Sequence, residues 1–443
     1  MPFAADDMMN LAEHARHPWR MVYAPFLLWH DFYRPMGGWF YVPVYRMFGL
    51  HPAPYHAALL GLVLLYVALI YRLARALGAE PLAAWLAALV AAYHAGLANL
   101  YYETSHVYDV LCGIFYAAAL TVWARARSEG RALRRGEAAA FLALDLCALN
   151  SKEMAVTLPV VLVAYEWLYG RLPGRGGIGE WLRGPGRIVA ASAAMTAAAI
   201  YGRVIGGLAH VAGYAGSYSL AQVAAFQRLQ FQDLFLQWNY EGWVLIVAAW
   251  AALTYLAWRK PLPLARFCWV FVVVAPLPVE FLEGRSMAVL AVPLMGWAIL
   301  GGVAGVAAMR AIAGAIADDP GLRRLAPEAR LAMVMAAVIL AWAVWNRGYY
   351  VRDVRPAMWE TGRPTAEVIG QFERLQPRVR PHSTVVFLND PFDGWDMAFI
   401  ADLWFHDPTV TVRLQKKTPL APAELARAEA VFDWRGGRLE RVR

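Results

Sequence analysis

The stretch APYHAALLGLVLLYVALIYRLARA, residues 53–76, indicates the class of fold. It holds no Asp, Glu, Lys or Arg before Arg72, and a helix of about 20 apolar residues is long enough to cross the hydrocarbon core of a bilayer. Similar apolar blocks recur along the chain, separated by short Arg-rich or aromatic segments. We predict ten membrane spans, at residues 53–76, 81–100, 107–124, 137–150, 154–170, 188–204, 241–258, 264–281, 287–308 and 329–346.

The composition agrees with a membrane protein. Hydrophobic residues make up 60% of the chain, charged residues only 17%, and the mean hydropathy is +0.40, whereas a soluble domain carries about 25% charged residues. The three cysteines, Cys112, Cys147 and Cys268, lie inside apolar blocks and have no metal-ligand spacing. We therefore predict an all-α polytopic membrane bundle, followed by a small α/β domain described below.

The net charge is +8, and the distribution of the basic residues indicates how the chain is oriented in the membrane. One set of alternate loops holds most of the basic residues, while the opposite short loops hold mainly Lys152, Arg228 and Arg285. Because cytoplasmic loops are enriched in Lys and Arg, the basic loops are predicted to be cytoplasmic. No basic patch is interleaved with aromatic residues, so we expect membrane lipids and no nucleic acid among the partners. The basic loops contain Arg72 and Arg75; Arg125, Arg127, Arg131, Arg134 and Arg135; Arg171, Arg175, Arg183 and Arg187; Arg259, Lys260 and Arg266; and Arg310, Arg323, Arg324 and Arg330.

This orientation divides the chain into three parts. Residues 1–52 form an outer loop with interfacial helices, residues 53–346 form the transmembrane bundle, and residues 347–443 form an extracytoplasmic domain. We expect a multi-pass protein of the cytoplasmic (inner) membrane whose active site and C-terminus face outward. Since no span precedes residue 1 in this orientation, we expect either an unaided translocation of the N-terminus or a first helix missing from this chain.

The tail changes pattern after Arg347. PTAEVIGQFERLQ and WDMAFIADLWFH have helical periodicity, whereas STVVFLND and TVTVRL are typical of strands. AVFDWRGGRLERV predicts a hairpin that turns at Gly436-Gly437. These segments predict the small α/β domain.

Polar residues gather in four outward clusters, where their concentration beside a membrane is informative. Each also has an ordinary explanation: a helix cap, polarity at the interface, a local pair that ends two helices, or a loop ion pair. The clusters are Asp6-Asp7; Glu103, His106 and Asp109; Asn150 to Glu153, which includes Lys152; and Glu280, Glu283 and Arg285.

Such a set suits the transfer of a group from a lipid-borne phosphate. A carboxylate can act as general base on an acceptor hydroxyl, and Arg or Lys can stabilise charge on a departing phosphate. The chain lacks GxxxxGK[ST], HExxH and GxSxG, so nucleotide hydrolysis, zinc proteolysis and hydrolase chemistry lack their motifs.

Two stretches carry a family resemblance. HAGLANLYYETSHVYDVL, followed by LNSKEMAVTLPVVLVAYEWLYG, resembles the membrane half of the tetratricopeptide-bearing O-mannosyltransferases in the GT-C glycosyltransferase superfamily. Ser151, Lys152 and Glu153 match the family's Ser-Lys-Glu turn, and His94 and Asp109 keep its spacing. YRPM at 33–36, FGLHPAPYH at 48–56 and EGRSMAVLAVP at 283–293 are similar to further family segments. Leu97, Asn99 and Val107 depart from the family pattern, and the α/β tail takes the place of the repeats.

The resemblance implies an inverting membrane glycosyltransferase. It would move a sugar from a polyprenyl-phosphate donor to a hydroxyl of an acceptor protein or glycan on the outer face of the membrane. Asp6 and Asp7 would then supply the catalytic carboxylate. Arg34, Lys152 and Arg285 would bind the donor phosphate, and the candidates for the acceptor or for a divalent metal ion are Glu103, His106, Asp109, Glu153 and Glu283.

Two other functions stay open. A transporter or flippase of a lipid-linked substrate would need polar residues through the membrane midplane, where mainly Asp145 qualifies. A non-catalytic scaffold would use the tail to bind a partner.

Overall fold

The computed structural model describes residues 1–24, 33–172, 177–205, 216–235, 243–259, 262–285, 287–318, 322 and 324–443. The fold is an all-α bundle followed by a small sheet, as predicted. The N-terminal segment contains α1 (Ala5–Arg16), α2 (Arg20–Tyr23) and α3 (Pro35–Phe48). The helices of the bundle are α4 (Pro52–Ala76), α5 (Pro81–Ala92), α6 (Asn99–Tyr102), α7 (Val107–Ser128), α8 (Arg135–Leu149), α9 (Leu158–Leu168), α10 (Ile178–Arg183), α11 (Gly186–Ile205), α12 (Leu220–Leu234), α13 (Trp243–Arg259), α14 (Pro263–Val274), α15 (Leu277–Glu280), α16 (Ala291–Ala315) and α17 (Pro327–Tyr349).

Each predicted span coincides with at least one of these helices. Among the described residues, six helical segments are long and apolar enough to cross a membrane, and two shorter apolar helices are α5 and α13. The count of ten spans stays a prediction. The six segments are Pro52–Ala76, Thr104–Ser128, Gly186–Ile205, Pro263–Glu280, Ala288–Ala315 and Pro327–Leu375.

The predicted span 81–100 is broken, unlike the continuous helix that we expected. After α5 the backbone is extended at Tyr93, and a short 3-10 turn follows at Ala95–Leu97. Side chains and carbonyls from elsewhere take over the hydrogen bonds, since His94 Nε2 lies 2.9 Å from the Leu234 carbonyl oxygen and the Ala95 N–H donates to Asn346 Oδ1. These contacts are tertiary, so local periodicity did not reveal the break.

The centre of the bundle is helix α7, which packs between α4 and α8, while α16 packs on α5. Small residues line the α5 face, where Ala83, Ala87 and Ala91 are fully buried. Small side chains let helix backbones approach closely in a membrane, where the hydrophobic effect between helices is absent.

The interhelical contacts separate the loops onto two ends of the bundle. At one end Arg127 donates to both oxygens of Glu166, which is fully buried. The Tyr169 hydroxyl donates to the Leu77 carbonyl at the same end, and Arg310 pairs with Glu80. The predicted polar clusters lie at the other end, described below.

The tail has the predicted α/β composition. Helix α18 (Arg355–Leu375) continues from α17 through one π-helical turn, Tyr350–Val354, so a helix runs across residue 347, and the domain boundary there remains a prediction. The remaining elements are β1 (Thr384–Phe387), α19 (Asp396–Phe405), β2 (Thr411–Leu414), α20 (Pro422–Arg427), β3 (Ala430–Arg435) and β4 (Arg438–Arg441).

The four strands form a mixed sheet. Their order is β2-β1-β3-β4, with β1 parallel to both neighbours and β3 antiparallel to β4. The predicted hairpin turns at Gly436 and Gly437, whose φ angles are 52° and 78°. Two-residue hairpins favour glycine because both central residues need positive φ.

The tail packs against α1 through α19. Arg16 of α1 forms an ion pair with Asp402, and the Tyr45 hydroxyl of α3 lies 2.8 Å from His406 Nδ1 and donates to the Leu403 carbonyl. The α/β domain therefore lies beside the first acidic cluster.

Candidate active site

The two aspartates of the first cluster differ in environment. Asp6 is exposed in the first turn of α1, whereas Asp7 is fully buried. Asp7 Oδ2 accepts a hydrogen bond from the Ala4 N–H at 2.7 Å, and Oδ1 accepts one from the Ser105 N–H at 2.5 Å. Burial raises the pKa of the Asp7 carboxyl to about 6, although these backbone hydrogen bonds lower it in part. Asp7 thus joins α1 to the second cluster.

The second cluster forms a chain of polar contacts that ends at the third. Asn99 donates to Glu103 Oε1 at 2.8 Å, and Glu103 Oε2 lies 3.2 Å from His106 Nε2. His106 Nδ1 lies 3.4 Å from Asp109 Oδ2, to which Lys152 Nζ donates at 3.0 Å. Asp109 is almost completely buried, so Lys152 balances its charge.

Glu153 receives two guanidinium groups. Arg34 Nη2 lies 3.0 Å from Glu153 Oε1 and 3.1 Å from Oε2, and Arg203 Nη2 lies 3.1 Å from Oε1. The side chains of Arg34 and Arg203 are 12% and 10% exposed. Burial would raise the pKa of Glu153, but Arg34, Arg203 and Lys152 together lower it to about 2. Two cations therefore share one carboxylate and stabilise its ionised form.

Tyr108 connects this charge cluster to α1. The Arg34 guanidinium lies 5.3 Å from the centre of the Tyr108 ring, and the Tyr108 hydroxyl donates to Asn10 Oδ1 and lies 2.9 Å from His14 Nε2. Asn10 also donates to the Asp6 carbonyl oxygen, one helical turn earlier. The helix that carries both aspartates is thus held against Arg34.

This close approach depends on a glycine. A Cβ at Gly37 would overlap the Tyr108 ring and press against His14. The absence of a side chain at Gly37 lets α3 pass next to both rings, with Arg34 at its N-terminus.

The fourth cluster is less compact. Glu280 of α15 is buried and accepts a hydrogen bond from Gln227 at 2.8 Å. Glu283 is exposed and Arg285 is half-buried in the loop that follows. Because α15 packs on the 3-10 turn Glu153–Thr157, this cluster lies at the same end of the bundle as the other three. The binding roles suggested for Glu283 and Arg285 remain predictions.

Sequence reasoning missed Arg203 and Tyr108. Arg203 lies at the last turn of α11, at the end opposite the basic loops. An arginine at the base-poor end of an apolar span departs from the positive-inside pattern, and this signal could have singled it out. Tyr108 offered no such signal, since a single tyrosine at the start of a span is ordinary at a membrane interface.

Within the described residues, no group of three or more His, Cys, Asp or Glu side chains is arranged to hold a metal ion. Of the predicted metal candidates, Glu103 and Asp109 both contact His106. A role for these residues toward a divalent ion therefore stays a prediction.

The fold and this polar end define the class of protein: a polytopic membrane bundle of apolar helices with a polar cluster at one end. The chain has the fold of the solved structure of ArnT from Cupriavidus metallidurans in the apo state, with a TM-score of 0.57 and 16% identity over 98% of this chain and 89% of that one. ArnT from the same organism bound to undecaprenyl phosphate gives 0.56 and 15% identity, over 99% and 93%. The predicted resemblance to the GT-C superfamily is confirmed at the level of fold.

A third solved structure has the same fold. It is the archaeal oligosaccharyltransferase AglB from Archaeoglobus fulgidus in complex with an inhibitory peptide and a dolichol-phosphate, with a TM-score of 0.51 and 12% identity over 98% of this chain and 65% of that one. No model of a protein family and no curated protein matches this sequence.

Proposed function

We propose that the protein is a membrane glycosyltransferase that moves a sugar from a polyprenyl-phosphate donor to an acceptor hydroxyl. The main observation behind this proposal is that two nearly buried guanidinium groups, those of Arg34 and Arg203, both contact the carboxylate of Glu153. Its support is the fold, which is that of a protein solved with undecaprenyl phosphate and of an oligosaccharyltransferase solved with dolichol-phosphate.

The two arginines suit a phosphate because arginine presents its donors in a planar fork that matches phosphate oxygens. Both guanidinium groups converge on Glu153, so their donors lie together at one point of the bundle. A phosphate that departs from the sugar gains negative charge, which guanidinium groups at this point would stabilise. Lys152 is paired with Asp109 and in this proposal keeps the adjacent turn in place and adds to the local positive field, while Arg285 adds a further cation at the same end.

The acceptor hydroxyl would attack the anomeric carbon from the face opposite the phosphate. The bond between that carbon and the phosphate oxygen breaks, polyprenyl phosphate leaves, and a carboxylate takes the hydroxyl proton. Of the two candidate aspartates, Asp6 is exposed, whereas both oxygens of Asp7 accept backbone N–H groups. We therefore assign the general base to Asp6 and a positioning role to Asp7.

We place this site on the outer face of the cytoplasmic membrane. The positive-inside rule puts the opposite end of the bundle, with Arg127 and Arg310, in the cytoplasm. The acceptor would then be a protein or glycan of the cell envelope, and the α/β domain on α1 would lie over the same face.

A transporter is less well supported. The charged contacts gather at the two ends of the bundle, and in the described part of the spans the carboxylate of Asp145 stands out by having no hydrogen-bond partner for either oxygen. A translocation path would need more polar groups between the ends.

Binding of undecaprenyl phosphate, followed by native mass spectrometry, tests the phosphate site. Arg34→Ala and Arg203→Ala should each weaken binding about tenfold or more, since a hydrogen bond to a charged group contributes about 1.5–3 kcal/mol. Arg310→Ala is the matched control, because Arg310 pairs with Glu80 at the opposite end, and it should bind normally. Undecaprenol, which lacks the phosphate, should not distinguish the variants. Unchanged phosphate affinity in both test variants would contradict the site.

The reaction itself is tested with a panel of polyprenyl-phosphate monosaccharides in liposomes. The transferase should release polyprenyl phosphate from at least one of them when envelope acceptors are present. Movement of the intact donor across the bilayer, with no cleavage of the sugar–phosphate bond, would instead support the transporter.

A further inference from the structure

A cavity of about 470 Å³ lies where residues 95–103 meet the junction of α17 and α18. Pockets that bind small molecules usually measure about 300–1,000 Å³. The π-helical turn Tyr350–Val354 forms one wall, and such turns inside α-helices are rare and frequently found at functional sites. Arg34 and Arg203, which form the proposed phosphate site, do not line this cavity.

The floor of the cavity is apolar and aromatic. Ala95, Ala98, Tyr349 and Val354 form a buried cluster that contacts further tyrosine rings. Tyr349 is 4% exposed, and its buried hydroxyl has no hydrogen-bond partner in the described part of the chain. An unsatisfied buried hydroxyl costs about 1–3 kcal/mol, so a ligand that supplies the missing hydrogen bond would remove this cost.

The rim of the cavity is polar, and each of its carboxylates lies beside a basic group, with Glu103 Oε2 3.2 Å from His106 Nε2. Two carboxylates, Glu103 and Asp353, line it beside one guanidinium, Arg352, which donates to Asp353 at 2.9 Å. The Arg352 side chain is 75% exposed, so solvent screens much of its charge. Carboxylates accept hydrogen bonds from hydroxyl groups, whereas an anion would meet two carboxylates and, among the described lining residues, a guanidinium that is already paired.

We propose that this cavity binds an uncharged sugar ring, carried either by the acceptor or by the donor lipid. The sugar's hydroxyls would bond to the carboxylates, to the Asn99 amide and to Tyr349, and its apolar face would rest on the aromatic floor. The proposal rests on the proposed function and names the substrate class of the same site. The two are connected because a chain of polar contacts runs from Glu103 through His106 and Asp109 to Lys152. In this arrangement Arg34 and Arg203 bind the phosphate, and the cavity binds the sugar ring.

Thiol protection tests the cavity without any turnover. Ala357 is exposed and lines the cavity, and Ala366 is exposed on the same helix but does not line it, so Ala357→Cys is the probe and Ala366→Cys its control. Cys112 and Cys268 are buried and Cys147 is half-buried, which limits the background. The reagent is N-ethylmaleimide, and the ligands are methyl glucoside, methyl mannoside and methyl galactoside, with glucuronate and galacturonate as anionic counterparts.

At least one neutral glycoside should slow labelling of the thiol at position 357 about threefold or more, as mass action gives at twice the dissociation constant. The uronates should protect less, and the control thiol should not be protected. Tyr349→Phe, which keeps the ring, should reduce the protection while undecaprenyl phosphate still binds normally. Equal protection by neutral and anionic sugars, protection of the control thiol, or no protection by any glycoside would overturn the proposal.

A comparison of two lipids shows whether the sugar ring comes from the donor or from the acceptor. Undecaprenyl phosphate and its glycosylated form are added to the same probe. Protection by the glycosylated lipid alone supports the cavity and assigns the ring to the donor, whereas protection by free glycosides but by neither lipid supports it and assigns the ring to the acceptor. If no sugar protects the thiol at position 357 while undecaprenyl phosphate still binds, the sugar site is rejected and the proposed function is retained.

Discussion

Arg203 Nη2 lies 3.1 Å from Glu153 Oε1, the same oxygen that accepts the hydrogen bond from Arg34 Nη2. One carboxylate thus ties the end of α11 and the start of α3 to the turn between α8 and α9. The three segments are far apart in sequence, so the positions of both guanidinium groups depend on Glu153. The same arrangement makes the site sensitive to any anion that can replace the carboxylate.

Glu153→Gln should destabilise the protein and make its stability dependent on phosphate. Removing the carboxylate takes away a counter-charge that two nearly buried cations share, and breaking a buried ion pair from one side typically costs about 3–5 kcal/mol. An anion that binds between the arginines should restore part of this loss. We therefore expect a lower Tm for Glu153→Gln, and a larger rise in Tm on adding undecaprenyl phosphate than the wild type shows.

Glu80→Gln is the matched control for this variant. Glu80 pairs with Arg310 at the opposite end, where both side chains are largely exposed, and such surface pairs contribute about 0–1 kcal/mol. Its Tm should change little, with or without the lipid. If Glu153→Gln behaves like Glu80→Gln, the shared carboxylate does not hold the two arginines in place.

Asp6→Asn and Asp7→Asn should fail in different ways. Asp6 is exposed, so Asp6→Asn should leave Tm unchanged and lower the rate of transfer about 10²-fold or more, the usual effect of losing a general base. Both oxygens of Asp7 accept hydrogen bonds from backbone N–H groups. In asparagine an amide nitrogen replaces one of these oxygens and cannot accept a hydrogen bond, so one of the two N–H groups loses its acceptor. Asp7→Asn should therefore lower Tm as well as transfer.

Measurements of Tm and of kcat on both variants distinguish the roles. A small effect of Asp6→Asn on kcat, together with a large effect of Asp7→Asn at unchanged Tm, would return the catalytic role to Asp7.

The burial of Asp7 should appear in the pH dependence of stability. Burial raises the pKa of this carboxyl from the usual 3.8 to about 6 in the folded protein, so folding favours the protonated form. The stabilising contribution of the proton is complete below pH 4 and is lost as the pH rises to about 6, a change of about 3 kcal/mol. The Tm advantage of the wild type over Asp7→Asn should be largest near pH 4, shrink up to about pH 6 and then stay constant. Thermal unfolding of both proteins between pH 4 and 8 measures it, and a constant difference would contradict the burial of this carboxyl.

Much of the fold could be predicted because its signals are local. Apolar blocks of spanning length, alternating basic loops and the two-glycine hairpin at Gly436-Gly437 each depend on neighbouring residues. The break after α5 could not be predicted, because the hydrogen bonds that replace the helix come from Leu234 and Asn346, far along the chain.

The site shows the same division. The sequence singled out Lys152, Glu153 and Arg34, and the structure pairs Arg34 with Glu153 and Lys152 with Asp109. It could not reveal that Glu153 also receives Arg203, nor that Asp6 and Asp7 have opposite exposure, because both facts depend on how α1 and α11 pack at this end. Adjacent residues in a helix point in different directions, so one of two neighbouring aspartates is readily buried while the other is not.

The orientation of the bundle decides whether the site faces the cell envelope, and single cysteines can test it. The side chain of Asp393 is fully exposed in the tail, and Ser128 is exposed at the end of α7 beside the basic loop. In spheroplasts, Asp393→Cys should react with a membrane-impermeant maleimide, whereas Ser128→Cys should react only after lysis. The physical reason is that retaining Arg125, Arg127 and their neighbours on the cytoplasmic side fixes this end of α7 inside. Since the Arg127–Glu166 contact and the Arg34–Glu153 contact lie at opposite ends of the bundle, the reverse pattern of labelling would put the phosphate site in the cytoplasm and exclude transfer to acceptors outside.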